Sequence, residues 1–455
     1  MVAARSLRRY NTPVRSFSGM AKAALMALDG ASSIGEMFTI RGEQKMKAMV
    51  FVLFAGMVGI VQPVSAGEPA RYSETVLHSF GNFPDGQQPY AGVIDVKGVL
   101  YGTTFSGGSE DGAGTVFALD LKTGAEKVLS SNFNYPEDSL IDVNGTLYGT
   151  TSGQDSAGTV FALDLNTDAE RTLYTFNNLK NGYEPVAGLI DVKGTLYGTT
   201  LWGGNVGGDC GDTGCGTAFS RDLKTGVEKV LYSFCSQPDC ADGEEPWASL
   251  IDVNGVLYGT TSTGGSADCD GVGCGTVFSL DPKTGAEKVL HSFGGGSDGA
   301  TPQAGLIDVN GLLYGTTSYG GVGDCNGSGT GCGTAFSLDP NTGAEKVVYA
   351  FCIQTNCTDG AEPGGVINVN GKLYGTTFIG GNGTGCDNPG CGTAFSLDPN
   401  TGAEKVFYSF CSQPNCADGA YPERTLIDVK GTFYDTTGSG GAYNYGTVFM
   451  LKKAR

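Results

Sequence analysis

Histidine and tryptophan are nearly absent, with two of each in 455 residues. His78 and His291 also fall at one place in a repeated segment, where other copies carry tyrosine, as at Tyr232. No Ser/His/Asp or Cys/His arrangement for nucleophilic catalysis can be assembled from them. Gly-Lys-Ser/Thr is missing, so the glycine-rich stretches are turns and not phosphate-cradling loops. Basic residues are scarce: 28 Lys/Arg against 47 Asp/Glu give a net charge of −19. Residues 1–66 hold eight basic and three acidic groups, so residues 67–455 carry 20 against 44, a net −24. A body this acidic repels phosphate backbones, which excludes nucleic acid as a partner.

Long apolar runs are also lacking. Ala48–Val61 is the longest, at about 14 residues against the roughly 20 a membrane helix needs. Met46-Lys47 precedes it and Val64-Ser65-Ala66 offers a small-x-small cleavage site. Residues 46–66 therefore read as a signal peptide, and the mature chain has no membrane span. Residues 1–45 are a leader or a mis-assigned start, with translation beginning at Met46. Arg8-Arg9 lies too far upstream of the apolar run for a twin-arginine signal. No sustained helical period occurs in residues 67–455.

What is abundant is glycine, 75 residues, and repetition. Leu-Tyr-Gly-Thr-Thr or a close variant places tyrosines at 101, 148, 197, 258, 314, 374 and 434. Gly-Thr-(Val/Ala)-Phe places phenylalanines at 117, 161, 219, 278, 336, 395 and 449. Each unit reads as four strands, A to D. Strand A is of the type Leu189–Val192, and an Asn-Gly or Lys-Gly turn joins it to strand B at Leu-Tyr-Gly-Thr-Thr. Asn-Gly between apolar runs is the strongest short hairpin signal, because a type I′ turn needs positive φ twice. Strand C is of the type Gly275–Leu280 and strand D of the type Glu287–Phe293. Four antiparallel strands in some 55 residues match a propeller blade. The chain ends are complementary: Glu74–Phe80 is a strand D without A to C, and Gly446–Leu451 a strand C without its D. The prediction is an all-β, seven-bladed β-propeller over residues 67–455, its last blade closed by the N-terminal strand, and a monomer.

The unit Leu-Tyr-Gly-Thr-Thr … Gly-Gly … Gly-Thr-Val-Phe … Thr-Gly-Ala-Glu-Lys-Val-Leu-Tyr-Ser-Phe … Asp-Gly … Pro resembles the bacterial choice-of-anchor tandem repeat, or GloVer-repeat, proteins over about residues 74–451. It is also similar to the kelch pattern, without the kelch tryptophan. The resemblance implies an exported repeat protein, often with a C-terminal surface anchor. This chain ends at Arg455 directly after the last strand, so the expectation is secretion, or periplasmic or cell-surface retention by other means. The family supplies no catalytic residues to carry over.

Alternating strand direction puts the A–B and C–D turns on one face of the disc and the long B–C and D–A loops on the other. All fourteen cysteines fall on that loop face, in local pairs: 210/215, 235/240, 269/274, 325/332, 352/357, 386/391 and 411/416. Even count, local spacing and an export signal predict disulfides (Cys210, Cys215, Cys235, Cys240, Cys269, Cys274, Cys325, Cys332, Cys352, Cys357, Cys386, Cys391, Cys411, Cys416); zinc is the rival reading. The D–A loops carry Asp-Gly-x-x-Pro at Asp85, Asp242, Asp298, Asp359 and Asp418, with Asn181 as a weaker copy. Those carboxylates read either as turn formers or as calcium ligands. Trp202 and Trp247, with Glu244-Glu245 beside the latter, are non-repeating residues of the same face. They suit sugar stacking and carboxylate chemistry, or plain loop packing, and adjacent glutamates should point apart. Two functions follow: a binding or scaffold module for a glycan or protein, or a carbohydrate-active hydrolase or lyase. Non-repeating carboxylates with a tryptophan at the central opening would favour the enzyme, and a ring of equivalent residues the binding module.

Overall fold

The computed structural model describes residues 72–109, 112–153, 157–266, 269, 271–325, 330–386 and 389–454. The proposed leader and signal peptide lie outside them. Seven four-stranded antiparallel sheets follow one another along the chain. Blade I consists of Ile94–Val96, Val99–Thr104, Thr115–Asp120 and Glu126–Ser130 as strands A to D. Blades II to VI repeat the order over residues 141–175, 190–233, 251–292, 307–350 and 361–409. Blade VII takes A, B and C from Ile427–Val429, Thr432–Thr437 and Thr447–Lys453, and D from Tyr72–Ser79 at the other end of the chain. Tyr72 pairs with Lys453 and Ser79 with Thr447. The expected seven-bladed propeller, closed by its N-terminal strand, is what forms. No helix among the described residues is long and apolar enough to cross a membrane.

Local chemistry explains the hairpins. All seven A–B turns hold positive φ at both central residues, for example 56° and 84° at Asn144-Gly145 and 57° and 90° at Lys97-Gly98. These are type I′ turns, whose twist matches that of the strands. In six of the C–D turns an aspartate caps the bend: Asp120 Oδ1 accepts from the Lys122 and Thr123 amides at 2.8 Å each.

Blades are held side by side by two repeated devices. The strand-C phenylalanine of each blade, at most 1% exposed, meets the phenylalanine at the end of the preceding strand D. Six of these pairs are edge-to-face, such as Phe293–Phe336 at 5.2 Å between centroids. The seventh, Phe133–Phe161, is stacked at 4.0 Å, and in that copy strand D is one residue longer between its glutamate and its phenylalanine. Edge-to-face geometry sets the positive ring edge on the negative face of its neighbour. The strand-B glycine makes room for this ring: a β-carbon on Gly259 or Gly315 would lie 2.7 Å from the phenylalanine Cζ.

The Thr-Thr pair is the second device. In six blades the first threonine donates to a carbonyl where the next blade begins, as Thr150 does to Ala187 at 3.0 Å and Thr376 to Arg424 at 2.9 Å; Thr260 of blade IV has no such partner. The second bonds the threonine opening its own strand C, as Thr261 does with Thr276 at 2.9 Å.

Replacing Phe336 by alanine removes one inter-blade ring and leaves a cavity between blades IV and V. The expected loss is about 3–5 kcal/mol, read as a lowered urea midpoint; a change under about 1 kcal/mol would show that the ring contacts are not what joins the blades.

Candidate functional site: the axial cup of the loop face

Strand A is the innermost of each blade, and neighbouring A strands approach one another. The residues leading into it therefore converge on the axis. Each D–A loop ends in a proline preceded by a residue in the left-handed region, at Gln88, Tyr135, Glu184, Glu245, Thr301, Glu362 and Tyr421 (φ 53–60°). This residue ties two blades. Glu245 donates its amide to Cys215 O of blade III at 2.9 Å, and its carbonyl accepts from the Ser262 amide of blade IV at 3.0 Å.

Just after the proline stand Tyr90, Glu137, Val186, Trp247, Gln303 and Glu423, six equivalent places with five kinds of side chain; blade VI is one residue shorter and has only Gly364-Gly365 between Pro363 and Val366. At the first position of the apolar pair opening strand A the chain is uniform again: Val93, Leu140, Leu189, Leu250, Leu306, Val366 and Leu426, none more than 2% exposed. Repetition thus serves the blades, and divergence is concentrated where the blades meet at the axis.

Two side chains reach across the axis. Arg424 of blade VII donates from Nε to Tyr90 O and from Nη2 to Glu137 O, each at 2.9 Å, so it spans blades VII, I and II. Asp138 of blade II accepts from the Gly188 amide of blade III at 2.7 Å and from Ser249 Oγ of blade IV at 3.3 Å. Below them Gly92, Ser139, Gly188, Ser249 and Gly305 keep side chains small where backbones crowd. The blades thus approach one another closely around the axis.

One wall of the cup breaks the repeat. Where six blades have the strand-B glycine, blade VII has Asp435. Asp435 is fully buried, and neither carboxylate oxygen has a hydrogen-bond partner. Burial pushes its pKa up to about 7, against the weaker pull of the Thr436 amide and Arg424. Glu423 beside it is pushed up to about 7 by burial; Arg424 pulls it down, and the Glu137 and Asp435 carboxylates push it further up. Burial also raises Glu137, whose Oε1 accepts from Ser152 Oγ at 2.7 Å. Aromatic rings stand close by: Phe105 lies between Tyr90 (5.4 Å) and Tyr135 (4.8 Å).

The residues expected from sequence are divided by the structure. Trp247 and Glu245 belong to the cup. Trp202 and Glu244 sit on the bridges between D–A and B–C loops, paired with Tyr183 and Thr263. The adjacent glutamates point apart as expected: Glu245 Oε2 faces Ser262 Oγ at 3.5 Å, and Glu244 Oε2 lies 3.2 Å from the Cys215 sulfur. Tyr90, Glu137, Arg424, Glu423 and Asp435 were missed. The readable signal was departure from the repeat, clearest at Asp435.

The five loop aspartates are not brought together. Asp242 spends its oxygens on its own loop, accepting from Tyr232 Oη at 2.6 Å and the Ser236 and Gln237 amides at 2.8 and 3.0 Å. Asp359 and Asp418 repeat this pattern, and all three are 0% exposed. Among the described residues, no group of side chains close enough to share an ion holds more than one of the five, so a single calcium ring is not formed. Asn181 instead donates to Tyr174 Oη at 2.8 Å.

Six of the seven expected disulfides are formed: 210–215, 235–240, 269–274, 352–357, 386–391 and 411–416. Cys325 and Cys332 differ, being unbonded and buried, and their expected bond is not made. The bonds of blades III and VI pack in twos, the B–C loop pair against the D–A loop pair. Blade IV has one bond, and Gly295 of its D–A loop packs where the second would lie. Multiple disulfides indicate an oxidising, extracytoplasmic environment.

At the outer rim six of the seven blade boundaries join a strand-D tyrosine or histidine, the D–A loop residue, and the strand-D glutamate of the next blade; between blades I and II Ser130 takes the aromatic residue's place and bonds Glu170. Burial beside the loop aspartate pushes Glu74 and Glu404 up to about 8 and Glu287 up to about 7.

Known proteins provide a context for this geometry. Residues 64–271, 129–330 and 325–455 match the Gloeobacter/Verrucomicrobia repeat. Among curated proteins, none matches the chain. The backbone is similar to the extracellular domain of the putative hybrid two component system BT4673 from B. thetaiotaomicron (TM-score 0.54, 10% identity, 85% of this chain and 40% of that one). It is also similar to an oligogalacturonate lyase in complex with manganese (0.50, 12%, 84% and 93%), and to the computationally designed protein Ika8 (0.47, 13%, 83% and 99%). At such identities the likeness is one of fold.

Two outcomes follow. Asp435→Gly restores the residue of the other six blades and removes an orphaned buried carboxylate; it should stabilise the chain by about 1–3 kcal/mol, seen as a higher melting temperature above pH 7. An unchanged or lower value would mean that Asp435 is satisfied in solution. A carboxyl whose folded pKa is raised stabilises the fold fully below its unfolded value, and that contribution is lost as pH rises through the folded pKa. Melting temperature should therefore fall between about pH 4.5 and 8 as Asp435, Glu74, Glu287, Glu404 and Glu423 ionise. Glu287→Gln with Glu404→Gln should flatten that slope.

Proposed function

The chain belongs to the Gloeobacter/Verrucomicrobia repeat family, and we propose that it is an exported binding module that takes a carbohydrate in the axial cup of its loop face. The observation that carries this reading is the change from uniform to divergent side chains at the axis. Six equivalent backbone positions hold Tyr90, Glu137, Val186, Trp247, Gln303 and Glu423, each three residues before one of the near-identical ones that pack the blades. Tyr90 and Trp247 offer ring faces for sugar stacking. Glu137, Gln303 and Glu423 offer oxygens to sugar hydroxyls, and Arg424 is pinned in place by two carbonyls. Export rests on the Met46–Ala66 signal sequence and on the disulfides. The ligand is an extracellular glycan, the chain a monomer, and the disulfide-bonded loops a rigid collar for the cup.

A second reading, glycan cleavage by hydrolysis or elimination, draws on Asp435 and Glu423. A carboxyl still protonated near pH 7 is what a general acid requires. Non-repeating carboxylates together with Trp247 at the central opening also favour an enzyme over a symmetric ring.

A panel of immobilised oligosaccharides, with and without calcium, tests both readings. The binding reading expects retention of at least one glycan, weakened tenfold or more by Trp247→Ala and by Glu423→Gln, with the glycan recovered intact. Shortened glycan that disappears with Glu423→Gln would establish the cleavage reading instead. Failure of the whole panel in both conditions would sink the carbohydrate assignment.

A further inference from the structure

The rim of the propeller holds two three-residue groups that the axial cup does not use. At the boundary of blades VII and I, His78 Nε2 lies 3.1 Å from Asp85 Oδ2. At the boundary of blades IV and V, His291 Nε2 lies 3.2 Å from Asp298 Oδ2. In each case a glutamate from the following blade, Glu126 or Glu345, brings a carboxylate oxygen within 4.8 Å of both. Oε1 of each glutamate is buried and has no hydrogen-bond partner. The histidines and aspartates keep 18–30% of their side-chain surface exposed, so an ion and its water can reach them.

Comparison with the sister boundaries gives these groups meaning. Three of the four boundaries that have tyrosine in place of histidine keep the aspartate: Tyr232/Asp242/Glu287, Tyr349/Asp359/Glu404 and Tyr408/Asp418/Glu74. There the phenol hydroxyl donates to the aspartate at 2.6–2.8 Å, and each intervening loop is braced by a disulfide. Where histidine stands, the loop is three residues shorter and has no cysteine: Asp85 follows His78 by seven positions, whereas Asp242 follows Tyr232 by ten. Histidine thus occurs where the disulfide is missing and the aspartate is kept; at the other such short loop Tyr174 meets Asn181 instead. Histidine replaces a donor that ends at its aspartate with a nitrogen that can ligate.

We propose that His78–Asp85–Glu126 and His291–Asp298–Glu345 each bind a divalent ion of the Zn²⁺ type. One imidazole nitrogen and two carboxylates are a ligand set that zinc accepts, with a fourth position left to water. Two ligands on a tetrahedral zinc at about 2.0–2.1 Å stand roughly 3.3 Å apart, close to the observed nitrogen–oxygen separations. Each ion ties the strand and loop of one blade to the next, doing at these two boundaries what the disulfide does for the loops of three others. The site at blades VII and I includes the N-terminal strand, so it braces the closure of the ring.

The test uses the full exported chain, stripped with a chelator and dialysed against Zn²⁺. Two ions per chain are expected, with a rise in melting temperature on binding. His78→Tyr and His291→Tyr should each remove one ion, and the double variant both, together with the thermal shift. Tyrosine is the native residue of four sister boundaries, so these variants should fold, which an unchanged circular dichroism spectrum would verify. Co²⁺ in place of Zn²⁺ should give a spectrum without sulfur-to-metal charge transfer. Two ions retained by the double variant, no binding by the stripped chain, or a sulfur charge-transfer band pointing to Cys325 and Cys332 would each overturn the proposal. None of these outcomes depends on the carbohydrate assignment.

Discussion

The contact on which this molecule depends is a phenylalanine edge against a phenylalanine face, made across every blade boundary but one, where the rings stack. A blade by itself is a small sheet with both faces apolar, and it becomes stable only when neighbours cover it. The paired rings supply that cover at a fixed spacing, and the strand-B glycine leaves the space for them. The Thr-Thr pair then sets the height of one blade against the next, because in six blades its first hydroxyl finds a carbonyl where the neighbour begins. These residues recur because the requirement recurs.

Against so regular a scaffold, exceptions are informative. Asp435 introduces a carboxylate where the repeat demands empty space, in a setting that raises its pKa and gives it no partner. Such a group works against stability, and it sits beside Glu423 and the axis-spanning Arg424. The His-for-Tyr exchanges at the rim are exceptions of another kind. They coincide with shorter loops that lack cysteine but keep the aspartate, unlike the short loop after Tyr174, which has Asn181. Cup and rim are separate in space and in chemistry.

The propeller was readable from the chain because its determinants are local and repeated. The seven type I′ turns, the alternation of strands and the complementary ends each point to the same closed ring. The cysteine pairs were equally readable, and Cys325/Cys332 departs from them: its loop spacing is two residues longer than the others, and its thiols face each other without a covalent bond. The site was less legible. Trp247 and Glu245 stood out by type, but Glu137 and Arg424 are ordinary residues until the fold brings blades I, II and VII to one axis. The loop aspartates do not gather around one ion: Asp242, Asp359 and Asp418 each face a tyrosine of their own strand D, and Asp85 and Asp298 each face a histidine.

Blade VII joins Ser73 to Lys452, 379 positions away, and that separation has a consequence for biogenesis. The first strand of the ring must wait for the last strand of the ring. Six blades can assemble from neighbours in sequence, but the ring stays open until Thr447–Lys453 meets Tyr72–Ser79. The open form is therefore an obligatory intermediate, and its lifetime decides how much chain is lost to proteases or to pairing with another copy.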